Sequence, residues 1–163
     1  AHCAKCGQNS SFSMCETAEA AKAVCPVCSA TQDAENSYVV SGPLWIGRLH
    51  NADFCREMRA IAHMRQSPTE DWRPAHKVLS AMIEEATLPP LFYTLGDVAR
   101  RIKTSTPPRQ RIADELARLG FVSSPAHCRS KCIKTNAPYE TVLAAARTAA
   151  EDVEAMVAAA KQA

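Results

Sequence analysis

Four cysteines near the start of the chain have the spacing of metal ligands: Cys3-x-x-Cys6 and Cys25-x-x-Cys28, with 18 residues between the pairs. A C-x-x-C turn aims two thiolates at one point. Two such turns complete a tetrahedron around one ion, the spacing of a two-knuckle zinc site. Gly7 follows the first pair, where a knuckle often needs a left-handed residue, and Pro26 lies inside the second. A stretch of roughly 30 residues cannot build a core alone, so the metal would supply the folding free energy. Four thiolates leave no open coordination position, so the expected zinc is structural and not catalytic. Disulfides and an iron–sulfur cluster are rival uses of the same thiols. The lack of a signal peptide and the unpaired Cys15 and Cys55 weigh against disulfides. Cys128 and Cys132, with His127, offer further ligands, but C-x-x-x-C is a poor knuckle spacing, and reduced thiols in a packed hairpin are expected there.

A second chemistry is written in charge. The chain totals +2, yet residues 100–134 hold nine Lys/Arg against Asp114 and Glu115, a net of +7. These are Arg100, Arg101, Lys103, Arg109, Arg111, Arg118, Arg129, Lys131 and Lys134. Such a concentration is either an anion footprint or a solvated surface. The elements that carry it favour the footprint. Thr94 with Asp97 three residues on is a variant capping box, and Leu95, Val98, Ala99 and Ile102 make the buried face of a helix. A turn at 103–108 restarts helically, with Thr106 as N-cap and Pro107 in the first turn. Ile112, Leu116 and Leu119 then keep the helical period, and Gly120 ends it. "FVSS" (121–124) reads as a strand, and Ile133 lies in a return strand. Helix, tight turn, helix, hairpin is the order of a winged helix, in which the second helix and the wing meet nucleic acid.

Upstream, Tyr38-Val39-Val40 is a short strand closing the ribbon, and Leu44, Trp45 and Ile46 form an apolar plug with Trp45 as core anchor. Asn51 caps a helix whose stripe is Phe54, Met58, Ile61 and Ala62, with Cys55 also facing inward. A loop at Pro68 leads to a helix from about Arg73, with Pro74 in its first turn and Ala75, Val78, Leu79, Met82, Ile83 and Ala86 as its stripe. Glu84 and Glu85 read as a solvated pair at its end. An alanine-rich helix over 139–162 keeps Val142, Leu143, Ala146, Val153, Met156 and Val157 on one side. The fold class expected is α+β, mostly helical: a zinc ribbon over 1–40, a winged-helix-like domain over 41–138 and a C-terminal helix over 139–163.

The 163 residues contain no G-x-G-x-x-G, no G-x-x-x-x-G-K-[ST] and no G-x-S-x-G, and no parallel-sheet pattern for a nucleotide crevice. No apolar run reaches the roughly 18 residues of a membrane span, so no direct membrane insertion is expected. The first residue is Ala and no targeting pattern is read. An intracellular protein is expected, with mitochondrion, chloroplast and nucleus all open.

Four blocks then carry a resemblance: "GPLWIGRLHNADF" (42–54), "LFYTLGDVARRI" (91–102), "LARLGFVSSPAH" (116–127) and "IKTNAP" (133–138). In order and spacing, and with a cysteine-rich ribbon ahead of them, they resemble the C-terminal domain of tRNA (guanine-26, N2)-dimethyltransferases. The resemblance implies a domain that holds tRNA. Catalysis and S-adenosylmethionine would belong to an upstream Rossmann-like domain with a D-P-[FY]-G type motif. No catalytic residue is therefore carried over. His50, His127, Lys134, Thr135 and Asn136 stand at family motif positions, and Pro125-Ala126 departs from the usual Ser/Thr before the His. The implied partner is tRNA or another structured RNA. Lys134 is expected on a phosphate, with Thr135 and Asn136 hydrogen bonding along the edge of the wing. A blander use of the block is a strand-to-helix connector whose Asn caps the local backbone. Two other roles stay open: a structural subunit of a large assembly, such as an organellar ribosome or a membrane complex, and a DNA-binding regulator.

Overall fold

The computed structural model describes residues 1–16, 24–29, 38–65 and 71–160. They fall into two units, Ala1–Ile46 and Gly47–Ala163. The loop at Pro68 and the side chain of Val157 lie outside the described residues.

In the first unit β1 (His2–Cys3) pairs antiparallel with β2 (Tyr38–Val39), placing Cys3 opposite Tyr38. Cys3, Cys25 and Tyr38 are buried together, flanked by Cys6, Cys28 and Phe12. Among the described residues of this unit two of the three buried members of the cluster are thiols. Leu44, Trp45 and Ile46 are not the expected plug: Trp45 is 74% exposed and both neighbours are exposed.

The second unit begins with two paired helices. Asn51 caps α1 (Ala52–Met64) by accepting hydrogen bonds from the N–H groups of Asp53 and Phe54 at 3.0 and 3.1 Å. The helix turns Cys55 and Ala62 inward, and Phe54, Met58 and Ile61 outward. Cys55 and Ala62 thus face inward as expected, while Phe54, Met58 and Ile61 do not, because the period fixes a face but not what covers it. α2 (Arg73–Glu85) starts with Pro74 in its first turn and buries Leu79, followed by Ala86 just past its end.

A three-stranded antiparallel sheet in the order β3-β5-β4 follows, from β3 (Tyr93–Thr94), β4 (Ser123–Ala126) and β5 (Arg129–Thr135). Pro125 sits where the β4–β5 register shifts, the place in a sheet where a missing N–H is tolerated. Between β3 and β4 run α3 (Leu95–Ile102) and α4 (Arg109–Arg118). Thr94 caps α3 by accepting from the N–H of Asp97 at 3.2 Å, as the capping box requires. α4 starts later than its sequence suggests: Pro108 is the N-cap and no side chain caps it, so Thr106 does not serve. Lys103 ends α3 in the left-handed region (φ 57°).

α5 (Tyr139–Ala160) lies across α3 and α4, and is part of the second unit's core. Val98, Ile112, Leu116, Ile133, Val142 and Ala146 are all fully buried there, and each large aliphatic chain removed from water contributes about 1.5–3 kcal/mol. Tyr139 stacks on Tyr93 with ring centroids 4.6 Å apart, fixing the start of α5 against the sheet. Leu119 and Met156, expected inside, are exposed.

Gly120 closes α4 with φ 84°, its N–H bonded to the Ala117 carbonyl and the Phe121 N–H to the Leu116 carbonyl, both at 2.9 Å. This paired pattern is a Schellman ending, and it turns the chain directly into the hairpin. A Cβ at Gly120 would meet nothing within 4 Å, so the cost of a side chain is conformational alone. Gly120→Ala is expected to lower stability by about 1 kcal/mol in urea unfolding. An unchanged midpoint would mean that the left-handed ending does not constrain the chain.

Candidate nucleic-acid interface and metal centre

The two cysteine turns are built alike. Gly7 donates its N–H to the Cys3 carbonyl at 2.6 Å, and Ser29 donates to the Cys25 carbonyl at 2.9 Å. Gly7 (φ 83°) and Ser29 (φ 55°) each follow the second cysteine of a pair in the left-handed region. The Gly7 expectation holds; Ser29 occupies the same position without glycine's freedom. These turns bring Cys3, Cys6, Cys25 and Cys28 together with all four sulfurs within 4.8 Å of one another. The Cys3–Cys28 and Cys6–Cys25 sulfur distances are 3.5 and 3.4 Å. Four thiolates on one ion at about 2.3 Å would stand about 3.8 Å apart, so the set has the size of a tetrahedral site. Burial works to raise the Cys3 thiol, but the Cys6 backbone N–H and the thiols of Cys28, Cys6 and Cys25 outweigh it and bring it down to about 7. Burial pushes the Cys6 thiol up. One member of the set is thus already disposed to be a thiolate.

In the second unit the centre of the polar structure is Glu85, the last residue of α2, whose side chain is wholly buried. Its Oε1 accepts from His50 Nε2 at 2.7 Å and from His127 Nδ1 at a shorter distance. Its Oε2 accepts from the His127 backbone N–H at 3.2 Å and lies 3.5 Å from Lys134 Nζ. A carboxylate has about four acceptor sites, and these donors use them all. Because an ionised carboxylate only accepts, each imidazole nitrogen facing it carries the proton. The two rings meet edge to face, 4.7 Å between centroids. Burial works to raise the carboxyl's pKa. The hydrogen bonds from His127 and His50, and the Lys134 charge, outweigh it and hold the group below its ordinary 4.5.

The spacing of His50, Glu85 and His127 also suits three metal ligands. The contacts argue for a hydrogen-bonded clamp instead. Both nitrogens are directed at one carboxylate oxygen at hydrogen-bond distance, and an ammonium stands beside the other oxygen, where a second cation would be repelled.

The remaining basic residues are at the surface. Arg100 and Lys103 are exposed at the end of α3, with Arg101 half-buried beside them. Arg109 and Arg111 are half-buried on α4, and Arg118 is exposed at its end. Arg129 and Lys131 are exposed on β5. Arg100 pairs with Asp97, and Arg118 with the half-buried Glu115 at 2.6 Å; both guanidinium groups are exposed, so solvent screens the pairs.

A family model for N2,N2-dimethylguanosine tRNA methyltransferase matches residues 1–147. The chain belongs to this family. A tRNA (guanine(26)-N(2))-dimethyltransferase of Methanothermobacter thermautotrophicus is 33% identical over 116 residues, covering 71% of this chain and 28% of the relative. The enzyme of the same name from Schizosaccharomyces pombe is 31% identical, covering 72% of this chain and 22% of the relative. The solved complex of Trm1 from Pyrococcus horikoshii with S-adenosyl-L-methionine matches with a TM-score of 0.56 at 29% identity, over 64% of this chain and 27% of that one. The chain thus spans about a quarter of the length of the relatives it matches.

For this member of the tRNA methyltransferase family, three of the four motif blocks meet at Glu85, through His50, His127 and Lys134. That corrects two sequence expectations. Glu85 is not solvated, and Lys134 does not stand on an exposed edge: its side chain is 2% exposed and faces the carboxylate. The end of the block also turns inward. Thr135 Oγ1 donates to the Val122 carbonyl at 2.8 Å and accepts from the Ala137 N–H, while Asn136 Oδ1 accepts from the Val122 N–H at 2.9 Å. Those two side chains fasten the end of β5 to the start of β4, the connector role. A trace of Glu85 was visible in sequence: it lies three residues after Met82 and one before Ala86, at the edge of the apolar stripe.

Removing the carboxylate leaves a buried ammonium unpaired. Glu85→Ala is expected to cost about 3–5 kcal/mol in urea unfolding. A carboxyl whose folded pKa is depressed stabilises fully above its unfolded value and loses that contribution as pH falls through the folded one. The stability gap between wild type and Glu85→Gln is therefore expected to be constant above about pH 5 and to shrink below it. A gap unchanged down to pH 3 would show that the carboxylate is not held ionised.

Proposed function

We propose that this chain is the tRNA-holding region of a tRNA (guanine-26, N2)-dimethyltransferase, stiffened by a structural zinc ion. The observation that supports it most is the family match over residues 1–147 together with the basic surface of α3, α4 and β5. The order α3, turn, α4, hairpin, with β3 completing the sheet, reads as a winged helix. In that arrangement the cations of α4 and of the hairpin share one nucleic-acid-facing side.

The contact is electrostatic in this reading. Arg101, Lys103, Arg109, Arg111, Arg129 and Lys131 neutralise backbone phosphates, while Lys134 stays with Glu85. The D-P-[FY]-G motif tied to S-adenosylmethionine by the family resemblance is not among the 163 residues, so the methyl-transfer chemistry is not assigned to them. Zinc held by Cys3, Cys6, Cys25 and Cys28 would add its binding free energy to the small buried cluster of the first unit's described residues.

Two measurements test this. In filter binding, affinity for tRNA is expected to fall by about a thousandfold from 50 to 200 mM salt, and Lys103→Ala and Lys131→Ala each to reduce the salt slope by about one. No binding at 50 mM salt, or binding indifferent to salt, would sink the reading. Elemental analysis is expected to find about one zinc per chain, lost in Cys25→Ser together with the structure of the first unit. Full folding of that unit after chelation would count against the metal.

A further inference from the structure

Between α2, the beginning of α4 and the β4–β5 hairpin lies a cavity of about 860 Å³. That is room for a nucleotide, within the usual range for small-ligand sites. All of it belongs to the second unit, and it is built from residues that the family resemblance did not point to as well as some that it did.

Its walls are chemically divided. Lys77 from α2, Arg109 from the first turn of α4 and Arg129 from the hairpin supply three cations, against the single carboxylate of Glu84. Among the described residues none of these three cations forms an ion pair, whereas the arginines further along α3 and α4, Arg100 and Arg118, do. Val78, Ala81 and Ala113 give an apolar wall, and Val78 is 41% exposed there. His127 is also part of the lining. Its Nδ1 is committed to Glu85, and its side chain remains 24% exposed, which leaves Nε2 as the ring atom available to a ligand. α4 opens without a side-chain cap, so its first N–H groups add positive potential on the same side as Arg109.

We propose that this cavity receives one nucleotide of the RNA backbone, its phosphate bound by Lys77, Arg109 and Arg129 and its ribose 2′-hydroxyl hydrogen-bonded to His127 Nε2. The inference rests on the tRNA-holding reading and makes it specific. Unpaired cations bind phosphate without reading sequence, and a fixed imidazole nitrogen beside them distinguishes ribose from deoxyribose, the group by which proteins tell RNA from DNA. The apolar wall takes the sugar or base. Glu85 acts here as a positioning residue, since it sets the ring's tautomer and orientation.

The test compares binding of tRNA and of single-stranded DNA of the same sequence by the 163-residue chain at 50 mM salt. The charge-reversal pair Arg109→Glu/Arg129→Glu is expected to weaken tRNA binding roughly a hundredfold, and Arg147→Glu, on the exposed side of α5, less than about threefold. His127→Gln is expected to cut the preference for tRNA over DNA by about tenfold, with circular dichroism confirming the fold. Tight wild-type binding that is insensitive to the Arg109/Arg129 reversal would overturn the cavity while leaving the tRNA-holding reading in place. Equal losses in the Arg109/Arg129 and Arg147 variants would do the same. No wild-type binding would remove both. An unchanged RNA preference in His127→Gln, with the reversal still effective, would overturn the 2′-hydroxyl contact.

Discussion

Glu85 ends α2 with its carboxylate out of water, and much of the second unit is arranged around keeping it there. An ionised carboxylate in a protein interior costs several kcal/mol unless every acceptor site is used. Here the donors come from three separate stretches: His50 ahead of α1, His127 at the turn of the hairpin and Lys134 on β5. Satisfying one charge therefore fixes the entry to the first helix and both strands of the hairpin at once. Directional contacts of this kind specify a geometry in a way that apolar packing alone does not.

The consequence is a division among the cations. Lys134 is spent inside, where it balances Glu85. Lys77, Arg109 and Arg129 stand around a cavity whose third side is the hairpin that Glu85 holds in place. His127 belongs to both regions, with one ring nitrogen on the clamp and its ring in the cavity wall. A phosphate site gains from such rigidity, because less side-chain and loop entropy is lost when the ligand arrives. The first unit solves a different problem by similar means: among its described residues Cys3, Cys25 and Tyr38 form one buried cluster, flanked by the thiols of Cys6 and Cys28.

Most local signals in the sequence are readable, Thr106 being the exception since Pro108 takes the N-cap, and non-local ones are not. Asn51, Thr94 with Asp97, Pro74, Gly7 and Gly120 each act within a few residues of themselves, and each holds the place its chemistry implied. The cysteine pairs were legible for the same reason, since a knuckle is a local turn. Glu85 and Lys134 are 49 positions apart, and neither carries any local mark of the other. By its type Lys134 is a surface cation, but its partner Glu85 decides its role. Phe54, Met58 and Ile61 show the complementary limit: they lie in helix as their period implies, but of the expected stripe only Ala62, with Cys55 beside it, is buried.

The most direct measurement is photo-crosslinking of tRNA carrying 4-thiouridine to the chain, followed by peptide mapping. The account expects crosslinks on the hairpin turn around His127–Arg129 and on the first turn of α4. Crosslinks confined to the outward side of α1 or to the exposed side of α5 around Arg147 would contradict it.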